Sequence, residues 1–417
     1  MSCDLIIANG TIVDGTGERE AFVGDVAVKD GKICAVGSAL GDTFDAARTI
    51  DATGKHILPG WTDIHTHFDT QCMWDPQMSP SGASGVTTVV MGNCGVGAAP
   101  TRKEGREFMM NILGVVEDIP VAVMREGVQW EVNGKEWESF PEWMDALDQL
   151  PFAVDVAAMV PHSAVRPFVL GLERCNVADR KGGPVDNPLT LEEKQAIADC
   201  VKEGIACGAV GFSTSRFTGH RDSTGQLAPG SLADADEMIM IAKGMAEAGG
   251  GMLEMVNDFS SYDDIPLDKL DPTLRKEHFE REQDWIHFVA KEYGIPVNWA
   301  DIPTAPGGKG GDNSFLEGCQ AEGLPVCRQM IIRPQALIFS WRSRMHPFSA
   351  CPTFKSIQQQ PETSWAESLS QAGVREQILG EFYGAHRDRS TSPFPASTSC
   401  FSHVSASRAR LGKLNSQ

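Results

Sequence analysis

Residues 60–69 read Gly60-Trp61-Thr62-Asp63-Ile64-His65-Thr66-His67-Phe68-Asp69, overlapping an apolar run from His56 to Ile64 that predicts a buried strand. Side chains alternate along a strand, so His65 and His67 share a face and can reach one metal ion together. A His-x-His pair at the C-terminal end of a first barrel strand stands where barrel active sites are built. Packing alone is a poor reason for two imidazoles there, because each would need a buried polar partner.

The chain around this stretch is long enough for the fold it suggests. Its 417 residues, 41% of them hydrophobic, accommodate a barrel of about 250 residues together with a smaller domain. Acidic residues outnumber basic ones, 56 to 36, and the formal charge of −20 disfavours nucleic acid and anionic membranes as partners. A small-molecule substrate is the better expectation, and an oligomer is compatible with the composition. The N-terminus lacks a basic segment followed by an apolar one, and no apolar stretch reaches the length of a membrane span. The 11 cysteines are scattered, with no Cys-x-x-Cys pair, which argues against a disulfide framework and for a reducing, cytoplasmic setting.

The character of the chain changes near residue 56. Residues 1–55 predict a small β domain: short alternating segments over 5–8, 11–13, 25–29 and 32–36, with hairpin turns at Asn9-Gly10 and Asp30-Gly31. Residues 56–383 alternate helices with short apolar runs, the pattern of a parallel α/β sheet or barrel. Thr190 with Glu193 predicts a capping box opening a helix to Cys207, with Leu191, Ile197, Val201 and Ile205 as its apolar stripe. Asp234 with Glu237 predicts a second start. Runs over 57–64, 86–92, 154–160, 209–214, 252–256, 296–300 and 325–332 make seven candidate strands. An eighth strand, which would close a barrel, is not found. The segment 95–153 is too long for a simple connection and predicts an insertion carrying Trp130, Trp137 and Trp143, whose default role is to pack that insertion. A single helix is predicted over 363–382, and a Ser-rich basic tail over 384–417 is expected to be disordered.

Cys94 stands in Val89-Val90-Met91-Gly92-Asn93-Cys94-Gly95, just past the second predicted strand. A lone cysteine is usually a core residue, but between glycines beside a histidine pair it is a candidate thiolate ligand, and zinc accepts mixed sulfur and nitrogen donors. His220, in Thr218-Gly219-His220-Arg221-Asp222-Ser223, follows the fourth strand on the ligand side of a barrel, where either substrate contact or solvation is expected. His278 and His287 fall on a charged helix and are expected at the surface.

These residues carry a resemblance. Asp4-Leu5-Ile6-Ile7-Ala8-Asn9-Gly10-Thr11-Ile12-Val13-Asp14-Gly15, Ile50-Asp51-Ala52-Thr53-Gly54, the His65-x-His67 stretch and Gly85-Val86-Thr87-Thr88 running into Gly92-Asn93-Cys94-Gly95 resemble the amidohydrolase superfamily, in its D-aminoacylase and N-acyl-D-amino-acid deacylase branch. Later stretches are similar too: Val116-Glu117-Asp118-Ile119-Pro120, Trp137-Glu138-Ser139-Phe140-Pro141, Pro161-His162-Ser163-Ala164-Val165-Arg166, Gly211-Phe212-Ser213-Thr214-Ser215 and His346-Pro347-Phe348-Ser349. The resemblance implies a TIM-like (β/α)8 hydrolase barrel, incomplete at strand eight, with a small N-terminal β-sandwich-like domain. It implies one or two divalent ions, usually zinc, with His65 and His67 at one position and Cys94 at the neighbouring one. The metal would lower the pKa of water to about 7 and polarise the scissile carbonyl of an N-acyl amino acid, while a carboxylate shuttles the proton to the leaving amine. His162 and Arg166 would either contact substrate, Arg166 by pairing with its carboxylate, or organise their loop, and His220 is the further candidate for substrate contact.

The chain departs from the family pattern in two places. The fifth and sixth strands usually end in metal-binding histidines; here Met252-Leu253-Glu254-Met255-Val256 and Val297-Asn298-Trp299-Ala300 have none, and Glu254, Asp258 and Asp301 stand nearby as candidate bases or oxygen ligands. The catalytic aspartate of strand eight is missing, and a truncation or shifted reading frame near residue 384 is expected. Two other readings follow: a catalytically silent relative serving as a binding or scaffold protein, or a cyclic amidohydrolase of the hydantoinase or dihydroorotase kind. The latter normally takes a carboxylated lysine from strand four, and residues 209–215 contain no lysine.

Overall fold

The computed structural model describes residues 1–117, 119–177, 187–217, 220–222, 226–256, 261–262, 265–266, 272–300, 313–330, 340–342, 346, 348–349 and 351–385. Asp258, Asp301 and the tail beyond Ala385 lie outside them, as does the side chain of His278. The chain divides into two compact units, Met1–Asp63 with Pro80–Thr88, and Ile64–Ser79 with Val89–Gln417.

In the first unit Ser2–Ile12 is the organising strand: Phe22–Lys29 pairs with it antiparallel, Asp45–Asp51 and His56–Ile57 parallel. The expected hairpin at Asp30-Gly31 joins Phe22–Lys29 to Lys32–Gly37, both turn residues taking positive φ, 50° and 71°. The expected turn at Asn9-Gly10 is not formed. Asn9 is left-handed, but the strand runs through it with a register shift between Ile7 and Gly10, because the Asn9 amide donates to Asp25 Oδ1 at 2.8 Å instead of closing a turn.

The predicted buried strand over 56–64 is also corrected. Pro59 and Gly60 divide it into His56–Ile57 and Trp61–Asp63, and Leu58, Trp61 and Ile64 are exposed. Proline lacks the N–H that a continuous ladder needs.

The large sheet has seven strands in the order Val326–Gln329, Val297–Ala300, Met252–Val256, Gly211–Ser215, Asp155–Pro161, Val86–Met91, Trp61–Asp63. From Asp155 onward every pairing is parallel. Spatial order follows chain order without reversal, which is the winding of a (β/α)8 barrel and not of an open sheet with a switch point. The sheet is thus the arc of an incomplete barrel. No eighth strand follows Gln329 among the described residues.

Helix Leu191–Ala206 opens with the expected Thr190–Glu193 capping box and buries Ile197, Val201 and Ile205, while Leu191 is exposed in its first turn. The predicted insertion forms helices Arg106–Val116, Val121–Gly127 and Phe140–Asp148; within it Trp137 stacks on Trp130 at 4.7 Å, and Trp137 and Trp143 are buried. The single helix expected over 363–382 is two, Glu362–Ser370 and Ala372–Ala385, separated by an extended Gln371. They pack with Pro352–Gln358 around Phe354, Ile357, Ile378 and Phe382. No described helix is long and apolar enough to cross a membrane.

Candidate metal centre

The site is built where the chain leaves two strands. After Met91 the backbone enters a left-handed passage, with φ of 75° at Gly92, 57° at Cys94 and 70° at Gly95. Glycine is required at both ends of it. A Cβ on Gly92 would stand 2.3 Å from the Met159 carbonyl oxygen, and one on Gly95 2.3 Å from the Ser215 amide nitrogen, so the loop is wedged against strands Asp155–Pro161 and Gly211–Ser215. A non-glycine residue held left-handed stores strain, and here the surroundings dictate it: the Cys94 amide donates to Glu254 Oε2 at 2.8 Å and the Gly95 amide to Ser213 Oγ at 2.9 Å. The loop also grips the histidine stretch, since Asn93 Nδ2 donates to the carbonyls of Val90 (2.9 Å) and Thr66 (3.3 Å). Gly95→Ala is therefore expected to cost about 2–3 kcal/mol in denaturant unfolding. Gly105→Ala, whose Cβ would meet nothing nearer than Thr101 Cγ2 at 3.7 Å, should change stability by under ~0.5 kcal/mol.

His65, His67 and Cys94 offer ligand atoms that all lie within 4.8 Å of one another, the only such group among the described residues. His65 Nε2 is 2.9 Å from Cys94 Sγ, and its Nδ1 is 2.7 Å from Gln329 Oε1 and 3.8 Å from Glu254 Oε1. His67 Nδ1 lies 3.3 Å from Glu117 Oε1, within ion-pair reach but without hydrogen-bond alignment. Asp69, 1% exposed, and Glu254, fully buried, bring further carboxylates, and no well-aligned hydrogen bond reaches either Asp69 oxygen or Glu254 Oε1.

Burial dominates the electrostatics. It pushes Glu254 up to about 8, against the pull of the Cys94 amide. Glu117 rises to about 8 through burial and then the Asp69 charge, and Asp69 itself rises to about 7, opposed by nearby amides of Gly92 and Ala98. Burial lifts the Cys94 thiol well above its ordinary range, with Glu254, Glu117 and Asp69 adding to the effect. Conversely burial lowers His67 to about 3, helped by His65 and His220, and lowers His220 to about 4, helped by His65. Neutral imidazoles beside a thiol and buried acids with unengaged oxygens form a donor set suited to a divalent cation, whose charge would favour the ionised thiol and carboxylates together. The residues fit such an ion.

The other expected site residues fare differently. His162 and Arg166 were expected to meet substrate, yet both are fully buried at the start of helix His162–Leu170 and face an internal acid. Arg166 Nε and Nη2 donate to the two Glu237 oxygens at 2.9 and 2.6 Å, and His162 Nε2 is 2.7 Å from Glu237 Oε1. The predicted cap role of Glu237 is accordingly halved: its amide donates to Asp234 Oδ1, but its carboxylate turns inward. His220 is half-buried, with Nδ1 2.9 Å from Ser215 Oγ, on the same side as the histidine pair. His287 pairs at the surface with Glu322 at 3.0 Å, as expected.

Sequence reading missed Asp69, Glu117 and Gln329. Asp69 closes the quoted His65–Asp69 stretch and Glu117 lies in a motif quoted for resemblance alone. Gln329 follows Arg328 at the end of the short strand Val326–Gln329, where two consecutive polar residues give no signal that one of them faces the site.

The amidohydrolase family model matches residues 48–313. The chain is 32% identical over 252 residues to a D-aminoacylase of Alcaligenes xylosoxydans xylosoxydans, covering 59% of this chain and 43% of that protein. It is 32% identical over 251 residues to an N-acyl-D-aspartate deacylase of the same organism, covering 60% of this chain and 42% of that protein. The chain thus spans less than half the length of these relatives. Among solved structures it is similar to an N-acyl-D-glutamate deacylase of Bordetella bronchiseptica complexed with zinc and a phosphonate mimic of the tetrahedral intermediate, at 26% identity and TM-score 0.57 over 79% of this chain and 58% of that one. A D-aminoacylase described as having a binuclear metal centre, activated by one metal and attenuated by the second, matches at 26% identity and TM-score 0.57 over 78% of this chain and 58% of that one.

Proposed function

The chain belongs to the amidohydrolase family, and from that membership we propose that it is a metal-dependent hydrolase of the amide bond in N-acyl-D-amino acids. The observation that carries this reading is the convergence of His65, His67 and Cys94, which would hold the ion. Two imidazoles and a thiolate favour zinc over the harder cations. When bound, the ion would supply Lewis acidity, polarising the scissile carbonyl and bringing the pKa of a water near 7.

Glu254 is the proposed proton carrier. It is fully buried beside His65 and Cys94, and its Oε1 carries no hydrogen bond, which leaves that oxygen open to take up and hand on a proton. Its other oxygen is tied to the Cys94 amide, which fixes the carboxylate against the thiol's loop. The buried Arg166–Glu237–His162 group is proposed to brace the barrel wall, so recognition of the substrate carboxylate is expected from other groups. Gly211–Ser215 carries no lysine, which favours the deacylase over a cyclic amidohydrolase.

The test is metal analysis of the purified chain followed by a panel of N-acyl-D-amino acids, their L-enantiomers and hydantoins. Retained zinc with D-selective release of amino acid is the expected result. A chain that binds no divalent ion, or opens only hydantoins, overturns the reading.

A further inference from the structure

The two histidines share a device that the ligand set does not contain. His65 stands two residues past the end of strand Trp61–Asp63, and its Nδ1 is held 2.7 Å from the side-chain oxygen of Gln329, the last residue of strand Val326–Gln329 and 264 positions away in the chain. With the oxygen of Gln329 accepting, Nδ1 carries the proton and the lone pair resides on Nε2, the atom that lies 2.9 Å from Cys94 Sγ. His67 has a looser counterpart: its Nδ1 lies 3.3 Å from Glu117 Oε1 at the C-terminal end of helix Arg106–Val116, within ion-pair reach and short of hydrogen-bond alignment. An imidazole left to itself exchanges tautomers and rotates; one gripped at Nδ1 presents a single atom in a single direction.

We propose, building on the metal-hydrolase reading above, that Gln329 and Glu117 are positioning residues that hold His65 and His67 by Nδ1 and so commit Nε2 of each to the ion. The two braces differ in kind. Gln329 is neutral and fixes tautomer and direction without adding charge. Glu117 is a carboxylate, so with an ion in place it also raises the basicity of His67 as a ligand. Neither touches the ion or the substrate. The brace also joins parts of the chain with no sequence proximity, since strand Val326–Gln329 and the insertion must both be in place before the pair can bind.

The experiment uses the full chain, stripped of metal, and compares wild type with Gln329→Ala, Gln329→Glu, Glu117→Ala and Glu117→Gln. Zinc affinity is read by competition with a chromophoric chelator, the cobalt(II) absorption spectrum reports ligand geometry, and thermal melts of the metal-free forms check folding. Each alanine variant is expected to lose about 10–100-fold in zinc affinity with a melting point close to wild type. Gln329→Glu and Glu117→Gln keep an acceptor oxygen and should recover most of that loss. Unchanged affinity in both alanine variants overturns the proposal while leaving the metal reading intact; a wild type that binds no zinc sinks the metal reading instead. An arm independent of metal is long-range ¹⁵N–¹H correlation on the histidines of the metal-free chain. His65 should be the Nδ1–H tautomer in wild type and lose that preference in Gln329→Ala, whereas an Nε2–H tautomer in wild type overturns the brace.

Discussion

Replacing Cys94 with alanine is expected to lower divalent-ion affinity on the order of a thousandfold, beyond the ~10–100-fold loss typical of a residue that only orients a ligand. The thiol is the one soft donor of the cluster, 2.9 Å from His65 Nε2, and it must ionise to bind, so the variant should also release about one proton fewer on zinc uptake. Calorimetric zinc titrations in two buffers of different ionisation enthalpy measure both quantities. Alanine tolerates the left-handed φ of 57° no worse than cysteine, so the metal-free variant should melt within a few degrees of wild type. Deacylation, if the proposed function holds, should fall to background. Wild-type affinity in Cys94→Ala would remove the thiolate from the ligand set.

Replacing Arg166 with alanine is expected to be among the most damaging changes for stability, about 3–5 kcal/mol. The guanidinium and the Glu237 carboxylate are both fully buried, and removing one leaves the other as an uncompensated charge. Arg166 Nη1 also donates to the Val177 carbonyl at 2.8 Å, so the variant loses a tie to the next loop as well. Glu237→Gln with Arg166→Met together, which removes the charges and keeps the volume, should be much milder than Arg166→Ala alone. Denaturant unfolding of the three chains decides this, and equal losses would mean that the pair contributes shape and not charge.

The same group sets a pH dependence. Burial by itself would raise the Glu237 carboxyl, but Arg166 and the His162 hydrogen bond outweigh it and hold the group well below the usual carboxylate range. Burial likewise lowers His162, despite its acidic partner. Both therefore bind fewer protons folded than unfolded, so their contribution is lost as pH falls: for His162 below about 6.5, and for Glu237 below about 4.3. Wild type should weaken progressively across that range, and Glu237→Gln should lose the lower part of the slope.

His65-Thr66-His67 and the glycine-flanked Cys94 were legible in the chain because each depends on local rules. The His-x-His spacing keeps the two rings together, 5.3 Å apart, although both lie past the end of strand Trp61–Asp63, and positive φ calls for glycine. The strand rhythm, the Asp30-Gly31 hairpin and the Thr190 capping box were legible for the same reason: their partners lie within a few residues. The Asn9-Gly10 turn failed because Asp25, sixteen residues away, takes the Asn9 amide. The strand from His56 to Ile64 failed at Pro59, where the missing N–H interrupts the ladder despite the apolar run.

By itself, the sequence determined the element types, the sequential strand rhythm of a barrel and three residues able to hold a metal. Only the tertiary structure decided what surrounds those three. It brought Glu117, Glu254 and Gln329 to the histidine pair from three separate segments, and it turned Arg166 and His162 away to a buried Glu237. Local structure follows from backbone sterics and side-chain period over a few residues. A ligand's orientation and a buried charge's partner depend on groups brought together from distant segments, and the chain has no short-range signal for them.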